Sequence, residues 1–148
     1  MKKIKAFGIC LYKTFNPDHV EILLCKSVNS NTKWGFLKGV QKNGETDIQT
    51  AIREFREEST ININQYFLEQ YFEQHNKSKD IGIWIVNSIN INSYNNYFTN
   101  NSLKKECLSS ENSQVSFFDI NNLPVIKKKQ KYLIHQIVDH FKYERRYS

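Results

Sequence analysis

The sequence predicts an α/β sandwich in which a mixed β-sheet packs against two helices. Short apolar runs rich in strand-forming residues recur along the chain, separated by clusters of turn-forming residues. Two other segments repeat apolar residues at the i, i+3, i+4, i+7 spacing of a helix with one buried face. The 148 residues suit one hydrophobic core, so we expect a single domain over residues 1–148.

The first half of the chain predicts a β-hairpin, then a loop and a helix. Residues 5–12 and 20–25 are strand-like, and turn-forming residues lie between them. Residues 39–43 are expected to form a loop. Thr46 and Gln49 have the spacing of a capping box, which starts a helix. The buried face of this helix is expected to carry Ile48, Ala51, Ile52 and Phe55.

The second half predicts three further strands and a C-terminal helix. The strands are expected at residues 66–73, 81–91 and 115–120, with an irregular polar loop over 92–106. The helix is expected from about residue 126 to 143. Its apolar face carries Leu133, Ile134, Ile137, Val138 and Phe141.

The composition is basic, with a net charge of +6, although acidic residues cluster in the middle of the chain. This combination fits a polyanionic ligand held through a metal, but for the charge alone we favour surface lysines that only confer solubility. Three widely spaced cysteines and no membrane-length apolar run favour a reducing compartment, the cytoplasm or the nucleus. The many Lys, Asn, Ile and Tyr residues are typical of an AT-rich genome, such as that of a protist or a large DNA virus.

The acidic cluster is the most informative part of the sequence. Because each helical residue turns by about 100°, Glu54, Glu57 and Glu58 fall on one side of the predicted helix. Their mutual repulsion costs a few tenths of a kcal/mol per pair, which a divalent cation would reverse. From spacing alone, a solvated acidic face with Arg53 and Arg56 as partners remains equally open.

The segment from Gly39 to Ile61 resembles the Nudix box, G-x5-E-x7-R-E-U-x-E-E-x-G-U, in which U is a bulky apolar residue. The positions in register are Gly39, Glu45, Arg53, Glu54, Phe55, Glu57, Glu58 and Ile61. Thr60 departs from the pattern, which has glycine there, so we expect the helix to end differently. The resemblance implies a Nudix-like α/β/α sandwich with a mixed β-sheet, a catalytic helix after a loop, and a C-terminal helix.

The resemblance also implies the roles of individual residues. The metal ligands would be Glu54, Glu57 and Glu58 with the backbone carbonyl of Lys38, and the metal Mg²⁺ or Mn²⁺. Of these, Glu57 and Glu58 could also orient or deprotonate the attacking water. Arg53 would pair with Glu45 and hold the loop against the helix. The implied reaction is attack of water at phosphorus in a nucleoside diphosphate linked to another group.

A further carboxylate is expected from outside the box. Glu111 and Glu106 are the candidates, and the segment from Glu111 to Asp119 is similar to one found before the last strand in mRNA-decapping domains. We favour Glu111 as a metal ligand or general base. An exposed loop glutamate without a role is the alternative.

Three features favour capped RNA as substrate. The run from Trp34 to Gly39 resembles the W-G-F-P-K-G lead-in of eukaryotic decapping enzymes, which implies substrate contacts for Trp34, Phe36, Lys38 and Gly39. The Glu111 segment matches the same subfamily. The C-terminal helix is expected to be basic and to bind RNA, although a solvated basic face explains it as well. Its charges are Lys127, Lys128, Lys129, Lys131, Lys142, Arg145 and Arg146.

Hydrolysis of the mRNA cap, releasing 7-methylguanosine diphosphate and 5′-monophosphate RNA, is therefore our first expectation. Stacking of guanine on Trp34 or Phe36 would suit it, although core packing explains these aromatic rings equally well. The alternatives are hydrolysis of a dinucleoside polyphosphate or of a diphosphoinositol, and an inactive Nudix fold that binds RNA. Neither a membrane partner nor DNA specificity is expected, and the oligomeric state stays open.

Overall fold

A computed structural model describes residues 3–16, 18–30 and 32–147, with side chains described as far as residue 143. This part of the chain forms eight β-strands and two α-helices. The strands are β1 (Ile4–Asn16), β2 (His19–Ser27), β3 (Leu37–Val40), β4 (Tyr71–His75), β5 (Lys79–Asn87), β6 (Phe98–Thr99), β7 (Ser102–Leu103) and β8 (Asn112–Asp119). The helices are α1 (Asp47–Ser59) and α2 (Lys131–Tyr147).

The strands form one mixed sheet in the order β4-β5-β1-β2-β8-β7-β6, with β3 paired to β1. The pairing of β1 with β5 is parallel, and the other pairings are antiparallel. The predicted hairpin is confirmed, since Tyr12 on β1 lies opposite Ile22 on β2. Strand β1 is long enough to pair with β3 near its start and with β2 near its end. It therefore positions β3 for the site described below.

Two hydrophobic clusters cover the opposite faces of the sheet. Alternate residues of β1 enter different clusters, as the side-chain alternation of a strand requires: Ile9 packs with Phe55 of α1, and Cys10 packs with Leu133 of α2. The two helices thus lie on opposite faces of the sheet. The α/β/α sandwich predicted from the sequence is confirmed, with Ala51 of α1 also fully buried.

The predicted loop over 39–43 is wrong at its start. Gly39 and Val40 continue β3 and lie opposite Phe7 and Ala6 of β1. Gly8 makes this pairing possible, because a Cβ at that position would come within 2.0 Å of a backbone oxygen of β3. Long-range pairing therefore overrides the local turn signal of the glycine.

Two predicted strands have wrong boundaries for one physical reason. The expected strand at 66–73 begins only at Tyr71, since the Asn64 side chain accepts a hydrogen bond from the Tyr66 amide and starts a 3₁₀ turn. The expected strand at 81–91 ends at Asn87, whose side chain accepts from the Ile89 amide in the same way. Asparagine side chains readily cap such turns in place of a ladder partner.

The loop over 92–106 and the start of the C-terminal helix also differ from the prediction. The loop contains the hairpin of β6 and β7, with Phe98 and Leu103 buried. Helix α2 begins at Lys131, five residues later than the expected start at about residue 126. Lys127, Lys128 and Lys129 therefore lie in the connection before it, and the side chains of residues 145 and 146 lie outside the described part.

Candidate active site

Helix α1 starts at the predicted capping box. The Thr46 side chain accepts from the Gln49 amide at 3.1 Å, and the Gln49 side chain accepts from the Thr46 amide at 2.9 Å. Gly44, two residues before the capping-box threonine, has a φ of 84°, which suits a residue without a side chain. Local sequence signals therefore set where the acidic helix begins.

Helix α1 ends in a left-handed residue although that residue is threonine. Thr60 has a φ of 67°, and its amide donates to the Arg56 carbonyl at 2.7 Å. The prediction of a different helix end is wrong. Buried Ser59 explains why, because its hydroxyl donates to Phe55 O and accepts from the Ile61 amide. These bonds hold the turn in place despite the cost of a β-branched residue there.

Gly39 allows α1 to lie close to β3. A Cβ at this position would stand 1.9 Å from Oε2 of Glu54. The absence of a side chain therefore leaves room for the Glu54 carboxylate directly beside the strand that carries Lys38. This close approach gives Gly39 a physical role at the site.

Arg53 connects the loop before α1 to the acidic residues on the helix. Its guanidinium donates to Glu45 through two nitrogens and to the Val40 carbonyl at 3.1 Å. It also contacts Glu54 at 2.7 Å and Glu57 at 3.2 Å. The expected pairing of Arg53 with Glu45 is present, and it holds the pKa of Glu45 at about 2.

Glu58 is the most unusual carboxylate of the site. It is 6% exposed, and one of its oxygens accepts from Asn112 Nδ2 at 3.1 Å. The other oxygen is buried and has no hydrogen-bond partner among the described residues. Burial, opposed by the Asn112 bond and reinforced by repulsion from Glu54 and Glu111, raises the pKa of Glu58 to about 7. Burial likewise raises the pKa of Glu54.

A cavity of about 400 Å³ opens beside Glu58, and we call it the carboxylate cavity. Glu111 and Asn112 line one part of it, and Lys38 and Lys127 line another. Burial lowers the pKa of the Lys38 ammonium, and repulsion by Lys79 and Lys127 lowers it further. The fold therefore brings carboxylates and ammonium groups together in one opening.

The structure separates the other candidate residues. Of the two candidates for a further carboxylate, Glu111 lines the carboxylate cavity, whereas Glu106 lies exposed in a 3₁₀ turn and does not. Trp34 and Phe36 are 8% and 3% exposed, and Trp34 packs against Phe118. Their burial favours core packing over stacking on a base. Lys131 and Lys142 are exposed on α2 and line neither this cavity nor a second one described below.

Asn112 and Gln130 are site residues that sequence reasoning did not single out. Asn112 reaches Glu58 across 54 positions of the chain, and Gln130 accepts from the Phe36 amide across 94. Both side chains are buried. No local pattern marks either residue, because both contacts depend on how distant strands and turns meet.

The residues present fit a divalent cation. Glu58 offers a buried oxygen without a partner, and carboxylate oxygens are the ligands that Mg²⁺ prefers. In the described part of the chain, no three acidic, histidine or cysteine side chains converge as a ready metal cluster. Instead, Glu54 and Glu57 lie against Arg53.

Known proteins resemble this chain in sequence family and in fold. A family model described as NUDIX domain matches residues 2–137. Among solved structures, an Ap4A hydrolase of C. elegans in a binary complex is 19% identical, with 94% of this chain and 98% of that chain covered at a TM-score of 0.64. The ORF135 protein of E. coli is 15% identical, with 100% and 96% covered at 0.67.

A third similar structure is MutT, described for Aliivibrio salmonicida and Vibrio cholerae, at 16% identity, 94% and 98% coverage and a TM-score of 0.59. At these identities the likeness concerns the fold. Within the described residues, no helix is both long and apolar enough to cross a membrane. Cys10, Cys25 and Cys107 are free and buried.

Proposed function

Because the chain belongs to the NUDIX domain family and is a Nudix hydrolase, we propose that it uses a divalent metal to cleave a diphosphate bond in a nucleoside diphosphate derivative. The observation that carries this proposal is the buried, unpartnered oxygen of Glu58 in a cavity shared with Glu111, Lys38 and Lys127. An ionised carboxylate in that position is costly without a cation. Ammonium groups on the same opening suit the phosphates that would accompany the cation.

The metal would be Mg²⁺ or Mn²⁺, held by Glu54, Glu57 and Glu58 with the backbone carbonyl of Lys38. When bound, it would neutralise charge on the diphosphate and make the attacking water more acidic. Glu57 is the most accessible of the three carboxylates, with 49% of its side chain exposed, so it can turn from Arg53 at little cost.

The chain's own residues would bind and orient the substrate. Lys38 and Lys127 would bind phosphate oxygens by charge-assisted hydrogen bonds. Glu111, exposed at the rim of the carboxylate cavity, would accept a proton from water or add a further metal ligand. Asn112 fixes the Glu58 carboxylate, and Arg53 fixes the loop before α1, so both act as positioning residues.

Two substrate classes compete. Capped RNA is favoured by the lead-in from Trp34 to Gly39 and by Lys127, Lys128 and Lys129 beside the site. A dinucleoside polyphosphate is favoured by the buried state of Trp34, which removes a stacking surface for a cap base. It also agrees with the fold shared, over nearly all of both chains, with a protein described as an Ap4A hydrolase. Because Trp34 is buried, we favour a dinucleoside polyphosphate over capped RNA as the substrate.

The test presents cap-labelled RNA, free cap analogue, diadenosine tetraphosphate and a diphosphoinositol to the purified protein with Mg²⁺ or Mn²⁺. Glu57→Gln and Glu58→Gln are the test variants, and Glu106→Gln is the matched control, because Glu106 is exposed and lies outside the cavity. We expect at least a hundredfold loss of turnover for the test variants, the order of effect of removing a key electrostatic group. The control should retain full activity.

The outcomes separate the candidates. Faster turnover of diadenosine tetraphosphate than of capped RNA supports the dinucleoside assignment. Release of 7-methylguanosine diphosphate from long RNA, with little activity on free cap, supports decapping instead. If no substrate is cleaved while RNA is bound, the chain is an inactive binding module and the proposal is wrong.

A further inference from the structure

A second cavity, of about 310 Å³, adjoins the carboxylate cavity, and we call it the lysine cavity. Since one water takes about 30 Å³, this volume has room for phosphate groups with a few waters beside them. Lysines from three separate parts of the chain line it. They are Lys33, Lys38, Lys79, Lys127, Lys128 and Lys129.

The ammonium groups of the lysine cavity are not held in ion pairs by the described part of the protein. None of its six ammonium groups forms an ion pair with a carboxylate of the described residues, whereas Lys3 and Lys13 elsewhere in that part do. Lys38, Lys79 and Lys127 are also half-buried, which reduces their hydration. Like charges gathered in a recess repel each other and raise the local concentration of anions.

Gln130 marks the junction of the two cavities. Its side chain is 4% exposed and lines both of them, together with Lys38 and Lys127. Its Oε1 accepts from the Phe36 amide at 2.8 Å, which fixes the orientation of the group. Its amide nitrogen donates to no other described residue. This leaves a side-chain donor at the junction for an acceptor atom supplied by a ligand.

We propose that the lysine cavity binds phosphate groups of the substrate beyond the diphosphate that is cleaved. The Gln130 side chain donates a hydrogen bond to the phosphate chain where it passes from one cavity to the other. This inference rests on the proposed function, because the cleaved diphosphate must lie in the carboxylate cavity. It makes phosphate-chain length the determinant of specificity. Substrates that carry additional phosphates bind well, and those with only a diphosphate, such as nucleotide sugars, bind poorly.

The test removes two lysines that lie outside the catalytic machinery. The variant Lys79→Gln/Lys128→Gln is compared with Lys5→Gln/Lys142→Gln, which loses the same charge from exposed positions outside the lysine cavity. Steady-state kinetics use diadenosine tetraphosphate and capped RNA, and ADP-ribose serves as the diphosphate-only competitor.

For the test variant we expect KM for substrates with additional phosphates to rise at least tenfold with unchanged kcat, since two charge-assisted contacts are lost. The inhibition constant of ADP-ribose should stay the same. If KM rises for diadenosine tetraphosphate alone, the lysine cavity binds a polyphosphate bridge. If KM rises for capped RNA alone, the cavity binds the phosphates of the nucleotide backbone. An unchanged KM for both substrates, or an equal weakening of ADP-ribose inhibition, overturns the inference.

Binding without hydrolysis separates this inference from the proposed function. Isothermal titration of inorganic tripolyphosphate in EDTA should show tight binding by wild type and control, and at least tenfold weaker binding by the test variant. If tripolyphosphate binding depends on the two lysines but the protein cleaves none of the substrates, the proposed function is wrong. The phosphate site in the lysine cavity would then still stand. If the protein hydrolyses its substrate efficiently but binds tripolyphosphate equally well without the two lysines, the lysine cavity is not a phosphate site. The proposed function would then still stand.

Discussion

Replacement of Glu58 by glutamine should stabilise the metal-free protein at alkaline pH while abolishing its activity. Glu58 has a pKa of about 7 in the folded protein against an ordinary value of 4.5. Since each pKa unit is worth ~1.36 kcal/mol, ionised Glu58 costs the folded state about 3 kcal/mol at pH 8. The cost is absent at pH 4, where the carboxyl is protonated in both states, and it grows as the pH rises toward 7.

The assay is urea unfolding of wild type and Glu58→Gln in EDTA at a series of pH values from 4 to 8. Between the two ends of the series, we expect the difference in unfolding free energy to move by about 3 kcal/mol in favour of the variant. Glu57→Gln serves as control, because that half-exposed carboxylate remains hydrated in the folded state. Excess Mg²⁺ should remove the advantage by stabilising the wild type alone. A difference that stays constant with pH would refute the burial argument.

Three further perturbations test the surroundings of the site. Gly39→Ala should displace the Glu54 carboxylate and cost roughly 1–3 kcal/mol of stability as well as Mn²⁺ affinity; normal affinity by titration would show that the contact is unimportant. Thr60→Gly should raise the thermal midpoint, because it relieves roughly 1–2 kcal/mol of left-handed strain against roughly 0.5–1 kcal/mol for the greater chain entropy of unfolded glycine, and a lower midpoint would count against that strain. Glu45→Gln should destabilise the protein at neutral pH, and since Arg53 lowers the Glu45 pKa, this penalty should vanish as the pH falls from about 4.5 toward 2; a penalty that persists at pH 2 in denaturant titrations would contradict the ion-pair account.

The features predicted correctly from the sequence depend on neighbouring residues. The capping box at Thr46, the buried Phe55 and the pairing of Arg53 with Glu45 all follow from fixed offsets within one helix and its lead-in. The β1–β2 hairpin is also predicted correctly, because a short apolar run rich in strand formers is typical of a strand buried on both faces. Local spacing was therefore enough to identify both the helix and its acidic cluster.

The errors and omissions depend on contacts between distant residues or on side-chain caps. The sequence predicts a loop at Gly39, because its pairing with Phe7 joins residues that are far apart in the chain. Strand ends near Asn64 and Asn87 were missed since asparagine there bonds to the backbone of its own turn. The lysine cavity was only partly anticipated, because Lys79 is brought beside the residues before α2 by the sheet.

The central claim is that the carboxylates of Glu54, Glu57 and Glu58 bind a divalent cation. The most direct measurement is anomalous X-ray scattering from crystals soaked in Mn²⁺, paired with a calorimetric Mn²⁺ titration of wild type and Glu58→Gln. The account predicts an anomalous peak beside these three carboxylates and an affinity that Glu58→Gln lowers at least tenfold, the order of one lost charge-assisted contact. No peak at the carboxylates, with equal or absent Mn²⁺ affinity in both proteins, would contradict it.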